Sequence, residues 1–376
     1  MHSDFILPHQ RFSIGVIGVG LIGGTFLRQL HERAVELRES RHVDFKVRAI
    51  ADSKRMLLRD SEIDLKNWRE ELNRNGVPID LNKMMDHLQP SHIPHAVIIE
   101  ATASRALAPK YVEWLKRGLH LITPNKQANT GTMQDYRALR AAAAESRRHF
   151  LYATNVGAGL PIVHTLRDLY STGDQILMIQ GILSGTLSYI FNSYDGTQPF
   201  SEVVKKAREL GFTEPDPRED LSGQDVMRKV VILAREAGIE IEVDDVKVES
   251  LVPKDLQTIP VDEFMRRLPE LDEPMQKWLN AAQSKNEILR FIGTLTHDGK
   301  ALVGLESLPG QHAFANVSGT DNIVLFKTTR YFNQPLVVQG PGAGPEVTAA
   351  GVFADLLRLS HYLGAPLQGE LHRGKT

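Results

Sequence analysis

The sequence predicts an α/β protein: a Rossmann-type dinucleotide-binding domain followed by a second, α+β domain. Three observations carry that prediction. Near the N-terminus an apolar strand, Phe12 to Ile17, runs directly into a glycine-rich turn and then a helix. The apolar run at 96–101 and the strand at 119–123 alternate with helical segments, as parallel strands do. Further on, 288–296, 302–308 and 323–329 are strands separated by turn residues, which predicts an antiparallel layer.

Length and composition agree. A chain of 376 residues exceeds one typical core, so two domains are expected. A net charge of −2 gives no basic surface for nucleic acid or an anionic membrane. No apolar run is long enough to span a bilayer, and Met1 to Gln10 lacks the pattern of a secretory leader, so a cytoplasmic protein is expected. Cysteine is absent, which removes disulfides, thiolate metal sites and thiol nucleophiles together. Any carbonyl redox chemistry must therefore move hydride directly, without a thioester on the enzyme.

In chain order, Gly18-Val-Gly20-Leu-Ile-Gly23 lies between strand and helix, the context that gives this spacing its meaning. Gly18 permits the tight turn, Gly20 lets the backbone approach a pyrophosphate, and Gly23 allows close helix packing. The helix should run from Leu21 toward Leu37 with its N-terminus facing the phosphates. Residues 43–51 form the second strand, ending at Asp52-Ser-Lys54-Arg55. An acid there suits a free ribose hydroxyl and hence NAD; the lysine and arginine suit a 2′-phosphate and favour NADP slightly. Residues 56–92 read as helical. The strand at 96–101 closes at Thr102-Ala-Ser104, and the strand at 119–123 leads to Lys126, both at the edge where ligands bind in open α/β sheets. An alanine-rich helix fills 131–148, and 150–154 is a further strand.

Asn155 to Pro161 is a glycine-proline hinge whose carbonyls suit a hard cation. A helix near 162–170, a strand at 175–183, a buried helix at 184–191 and a helix at 201–210 follow. They deliver an unusual stretch, Thr213 to Lys229, with five carboxylates in 17 residues. Pro215 and Pro217 should keep its first half extended. Ser222 should cap a helix reaching Gly238, with Asp225 and Lys229 on one face. Acids around a lysine can bind an ammonium group and move a proton, although an ordinary surface pair would look the same in isolation. The chain ends on a glycine turn, 340–344, and an amphipathic helix, 347–363, that returns to the first domain. The expected domains are 1–153, 154–339 and the returning segment 340–376.

Seven segments together, the glycine loop 18–23, Thr123-Pro-Asn-Lys126, 156–161, 181–192, 211–218, 221–225 and 347–351, resemble homoserine dehydrogenase in this order. The likeness spans roughly residues 12 to 364. It is similar both to stand-alone enzymes and to the dehydrogenase half of bifunctional enzymes fused to an aspartate kinase. The resemblance implies NAD(P)-dependent interconversion of L-homoserine and L-aspartate 4-semialdehyde, on the route to threonine, methionine and isoleucine. It implies a central domain that binds substrate and forms a homodimer. It puts Gly18, Val19, Gly20, Leu21, Ile22, Gly23, Thr102, Lys126 and Gly344 on the cofactor, and Glu214, Asp220 and Asp225 at the substrate. Lys229 would be the acid–base group, with Lys126 as its electrostatic partner.

One position departs from that pattern. Stand-alone members carry a glutamate ligand for a structural sodium ion three residues before Val156; here the residue is Ala153. Only the carbonyls of Val156, Ala158 and Leu160 remain as ligands, so sodium should matter little. The tail after residue 364 is too short for a core of its own, so an appended regulatory domain is not expected. Another Rossmann-type oxidoreductase would keep the glycine loop without needing the 213–229 cluster. A cofactor sensor without activity would lack one of the two lysines.

Overall fold

The computed structural model describes residues 10–364. The N-terminal segment read for a leader and the tail beyond Gly364 lie outside the described residues. Contacts divide the chain into two compact units, one running to Asn155 and resuming at Gly344, the other Val156–Ala343.

The first unit runs β1 (Gln10–Ile17), α1 (Leu21–Arg41), β2 (Val43–Ala51), β3 (Arg55–Leu58), α2 (Trp68–Asn75), β4 (Val77–Pro78), α3 (Leu81–His87), β5 (His95–Glu100), α4 (Tyr111–Lys116), β6 (His120–Ile122), α5 (Met133–Ser146) and β7 (Phe150–Leu151). Its sheet has the order β4-β3-β2-β1-β5-β6-β7. The five strands from β2 to β7 are parallel, and β3 and β4 are added antiparallel. Strand order therefore reverses between β1 and β5, the switch point at which such sheets bind ligands.

The expected helical stretch 56–92 is corrected by this topology. Met56 and Leu57 are buried in β3, which folds back on β2. An apolar run this short carries no period to separate strand from helix. Helix α1 continues past Leu37 to Arg41 and stops at His42, which takes a left-handed conformation and returns its N–H to the Leu37 carbonyl. The strand expected over 150–154 ends at Leu151, and Ala153–Asn155 forms a 3₁₀ turn.

The second unit runs α6 (Ile162–Ser171), β8 (Ile176–Ile182), α7 (Gly185–Ser193), α8 (Phe200–Glu209), α9 (Pro217–Leu221), α10 (Gln224–Glu236), β9 (Lys247–Val248), α11 (Val261–Arg267), α12 (Asp272–Gln283), β10 (Glu287–Thr296), β11 (Ala301–Pro309), β12 (Asp321–Thr328) and β13 (Leu336–Pro341). The sheet order is β13-β12-β8-β10-β11-β9. It is antiparallel apart from the short β9, which pairs parallel to β11.

Two expectations about the acidic stretch are corrected. Its first half is not wholly extended: Pro217 occupies the first turn of α9, where a missing N–H costs nothing, and Asp216 caps that helix through the Arg218 N–H. Ser222 is not the cap of α10. Gly223 is, in a left-handed conformation at φ +74°, and the Ser222 hydroxyl instead donates to the Glu219 carbonyl.

Helix α13 (Pro345–Tyr362) belongs to the first unit. Ala349, Val352, Leu356 and Leu359 join Phe26, Leu27 and Leu30 of α1 and Phe12, Ile14 and Val16 of β1 in one core. Arg28 pairs with Glu346 at 2.6 Å at the rim of the same contact. Among the described residues no helix is long and apolar enough to cross a membrane.

Candidate active site

At the switch point of the first unit the glycines divide their tasks. Gly18 sits at φ +90°, and a Cβ there would lie 2.5 Å from the Thr102 methyl group. A Cβ on Gly23 would lie 2.2 Å from the Gly18 carbonyl oxygen, so only glycine lets the helix start this close to the turn. Around Gly20 nothing lies within 4 Å of the corresponding position. The first turn of α1 carries no acidic residue and has no side-chain cap. Its N–H groups and the positive end of the helix dipole thus suit a pyrophosphate. Gly18, Val19, Gly20, Leu21, Ile22 and Gly23 fit a dinucleotide on these grounds. Gly344 caps α13 at φ +118°, giving the unit a second exposed turn of backbone.

Thr102 and Lys126 follow the carboxyl ends of β5 and β6. Lys126 opens a 3₁₀ turn over Gln127–Thr130, and its carbonyl accepts the Thr130 hydroxyl at 3.0 Å. Both positions are fixed by polar contacts that converge on Glu100, the last residue of β5.

At the end of β2, the Asp52 carboxylate accepts the backbone N–H groups of Lys54 and Arg55, each at 2.7 Å. Burial opposes its ionisation, but those two bonds and the Arg55 charge hold it below the ordinary aspartate range. The Arg55 guanidinium lies 2.9 Å from the Asn73 side-chain oxygen and 3.5 Å from Asp52. The Lys54 side chain is exposed.

The second unit gathers its acids and Lys229 where β8 gives way to α7. Ser184 caps α7 through the Leu187 N–H, and the Leu183 carbonyl before it faces α10. Lys229 is nearly buried; its ammonium donates to Leu183 O at 2.6 Å and pairs with Asp225 at 2.8 Å, one helical turn back. Asp220 accepts the Glu214 N–H at 2.8 Å and lies 2.8 Å from the Thr186 hydroxyl. Burial weakens the Asp220 acid, and the nearby charges of Asp225 and Glu219 add to that; the bonds from Glu214 and Thr186 offset only part of it. Asp220, Asp225 and Lys229 thus share one neighbourhood, with Glu214 joined through its backbone while its side chain is exposed.

Three residues before Val156, the position expected to carry a carboxylate ligand offers no side-chain oxygen. Ala153 supplies only a methyl group, and its N–H donates to the buried Asp355 of α13 at 3.0 Å. The Leu160 carbonyl already accepts the Ile162 N–H at 2.8 Å. Among the described residues no three His, Cys, Asp or Glu side chains cluster as metal ligands.

Sequence reasoning passed over Glu100, Thr186 and Asn322. Glu100 had a legible signal: a carboxylate closing a fully apolar parallel strand must find donors. Asn322 had none. It is the second residue of β12, is fully buried, and donates to the same Leu183 carbonyl at 3.2 Å, and nothing in its local sequence marks that meeting.

Comparison with known proteins gives a consistent picture. Residues 18–153 match the family model described as homoserine dehydrogenase, NAD binding domain, and residues 161–357 the model described as homoserine dehydrogenase. The chain is 49% identical over 368 residues, 97% of its length, to the chloroplastic bifunctional aspartokinase/homoserine dehydrogenase 2 of Zea mays, and spans 40% of that relative's length. A crystal structure of a Candida auris protein of unknown function superposes with a TM-score of 0.87 at 36% identity, covering 95% of this chain and 99% of that one. A putative homoserine dehydrogenase from Archaeoglobus fulgidus superposes at 0.74 and 27% identity, covering 93% and 99%.

Proposed function

Since the chain belongs to the homoserine dehydrogenase family, we propose that it interconverts L-homoserine and L-aspartate 4-semialdehyde by direct hydride transfer, with NADP or NAD, in the biosynthesis of threonine, methionine and isoleucine. The observation that carries this reading is the Lys229–Asp225–Asp220 cluster, which a Rossmann protein acting on an uncharged alcohol would not need.

Bound at the glycine turn, a nicotinamide dinucleotide supplies the hydride acceptor. Glu214, Asp220 and Asp225 hold the ammonium end of the substrate by charge-assisted hydrogen bonds. Once it has released a proton to solvent, Lys229 takes the hydroxyl proton as the carbinol carbon gives up hydride and the carbonyl forms. In the reverse direction its ammonium returns that proton to the oxygen. The Leu183 carbonyl and Asp225 orient the amine for this role. Lys126 adds positive charge where the oxygen becomes alkoxide-like. Its place at the carboxyl edge of β6 supports that role.

We also read the protein as a homodimer built on the second unit, and as cytoplasmic, although the maize relative is described as chloroplastic. The deciding assay is oxidation of homoserine, with NAD and with NADP, against a panel of other hydroxy acids. Comparable rates across the panel would leave only a generic Rossmann oxidoreductase. Replacing sodium by a bulky organic cation should change neither rate nor melting temperature; a large fall would mean that carbonyl ligands suffice.

A further inference from the structure

Glu100 is fully buried at the end of β5, opposite Ile17 of β1 and two residues before Thr102. A carboxylate in such a place is costly unless its oxygens are hydrogen-bonded. Here both are. Oε1 accepts the Thr102 N–H at 2.8 Å and also the Thr102 hydroxyl. Oε2 accepts the Tyr111 hydroxyl and the Asn125 amide, the latter at 3.1 Å, and lies 3.1 Å from the Thr123 hydroxyl. All these partners are neutral, so no ion pair explains why an acid is kept here.

The two oxygens serve two different strand ends. The Oε1 arm holds Thr102, whose methyl group lies under the glycine turn at Gly18. The Oε2 arm holds Asn125, the residue before Lys126. Asn125 is fixed on every side: its N–H donates to Thr123 Oγ1 at 3.0 Å, its amide nitrogen also reaches the Ser104 carbonyl at 3.0 Å, and its oxygen accepts the Gln127 N–H at 3.0 Å. One carboxylate therefore ties the end of β5 to the turn after β6, on the edge where the dinucleotide is expected.

We propose that Glu100 is a positioning residue for the cofactor: its two oxygens set Thr102 and the Asn125–Lys126 turn before the nucleotide arrives. The inference rests on the dinucleotide-dependent reading above. A side chain that merely fills the core would affect stability alone. A positioning carboxylate affects nucleotide binding first, and turnover through Lys126.

Glutamine is the informative replacement. Its single oxygen can serve one arm, and its amide then faces the donors of the other, Thr102 N–H or Asn125, leaving them unpaired. In the full-length Glu100→Gln protein, calorimetric titration with NADPH alone should give a Kd raised about tenfold, the usual scale for an unsatisfied buried donor. Hydrogen exchange over residues 123–130 of the nucleotide-free protein should quicken, while the KM for homoserine stays within about twofold, the substrate groups being elsewhere. A folded Glu100→Gln protein with wild-type NADPH affinity overturns the proposal, as does a homoserine KM that rises in step with the Kd. Should that variant not fold, Asn125→Ala removes the Oε2 bond to the turn and Thr102→Val removes the hydroxyl bond to Oε1 while the backbone N–H bond stays; wild-type affinity in both overturns the proposal equally. Wild-type protein that binds no nucleotide, or does not oxidise homoserine, would count against the proposed function; normal wild-type behaviour with an unaffected Glu100→Gln variant counts against the positioning role alone.

Discussion

The two charged constellations of this molecule treat charge in opposite ways. At the edge of the first sheet, Glu100 is sealed from solvent and bonded only to neutral donors. In the second unit, Asp225 and Lys229 bond to each other, Asp225 is about half exposed, and Asp220 is a weakened acid beside them. A buried carboxylate dressed by fixed dipoles is a frame: its cost is met by bonds that also hold the backbone. A cluster of mutually paired, partly solvated ions is a working part, because each proton gained or lost changes the balance of the rest. On the function proposed above, scaffold duty falls to the first unit and proton duty to the second.

The largest test of that division is removal of the two lysines. Lys229→Ala should lower turnover by about 10² to 10⁴, the usual range for a general acid–base group. Lys126→Ala should cost about 10² to 10³, as loss of one electrostatic contact to a developing oxyanion does, and should leave the alkaline limb of the pH–rate profile in place. If the profile loses that limb in Lys126→Ala and keeps it in Lys229→Ala, the two roles are exchanged and proton duty belongs to the first unit.

A second test concerns the frame itself. Gly23→Ala places a methyl carbon 2.2 Å from the Gly18 carbonyl oxygen, a backbone atom that cannot swing aside as a flexible side chain would. Overpacking of this kind costs about 1–3 kcal/mol. Melting temperature and NADPH affinity should fall together, with the homoserine KM unchanged. A variant with native stability and affinity would show that the turn has room to relax and that the scaffold is softer than described.

Much of this division was legible in the sequence and some was not. The glycine loop, the second strand and the Asp225–Lys229 pair carry short-range signals, a period or a fixed spacing, and each lies where its spacing predicts. Strand β3 was missed because Arg55–Leu58 is too short to show a period, and its pairing with β2 is set by the Asp52 turn. The start of α10 was misplaced because two caps compete within two residues, and the left-handed Gly223 prevails over the Ser222 side chain. Asn322 and Lys229 meet on Leu183 O from segments that only the folded sheet brings together.

The third test asks whether the first unit is indifferent to pH, as a frame should be. At its cofactor edge Asp52, held below the ordinary aspartate range, matters only in acid, whereas the opposite edge of the same sheet carries groups that act nearer neutrality. His95 begins β5, His120 begins β6, and His149 precedes β7; the His95 and His120 rings are tilted with centroids 6.3 Å apart, and His120 stacks on His149 at 5.4 Å. Burial, with the Arg148 charge behind it, lowers all three, His120 to about 3. Since the folded form resists protonation, the unfolded chain binds these protons first as pH falls. Stability is therefore complete above about pH 6.5 and declines below it, toward pH 3, by up to ~1.4 kcal/mol per pH unit for His120 alone. His120→Leu should flatten the fall in melting temperature between pH 7 and pH 5. An unchanged slope would assign that sensitivity to other groups.

The smallest expected effect lies at the end of β2, where the frame meets solvent and cofactor preference is decided. Lys54 is exposed, and a 2′-phosphate is a strong enough anion to recruit it, so Lys54→Ala should raise the KM for NADP about two- to fivefold and leave NAD nearly unchanged, the scale of an exposed ion pair. Arg55 is less available. Its guanidinium already meets the Asn73 side chain at 2.9 Å and Asp52 at 3.5 Å, so reaching a phosphate would mean leaving both. Arg55→Ala should therefore do less to NADP than Lys54→Ala does. Asp52 resists the phosphate by charge, yet it also holds the turn through two backbone N–H groups. Asp52→Asn keeps an oxygen to accept those bonds and drops the repulsion, so the ratio of NADP to NAD efficiency should rise. A larger loss for NADP in Arg55→Ala than in Lys54→Ala would mean that the arginine swings away from Asn73 to bind. The rim of the frame would then be as adaptable as the ionic cluster, and the contrast between the two units would hold only for their buried parts.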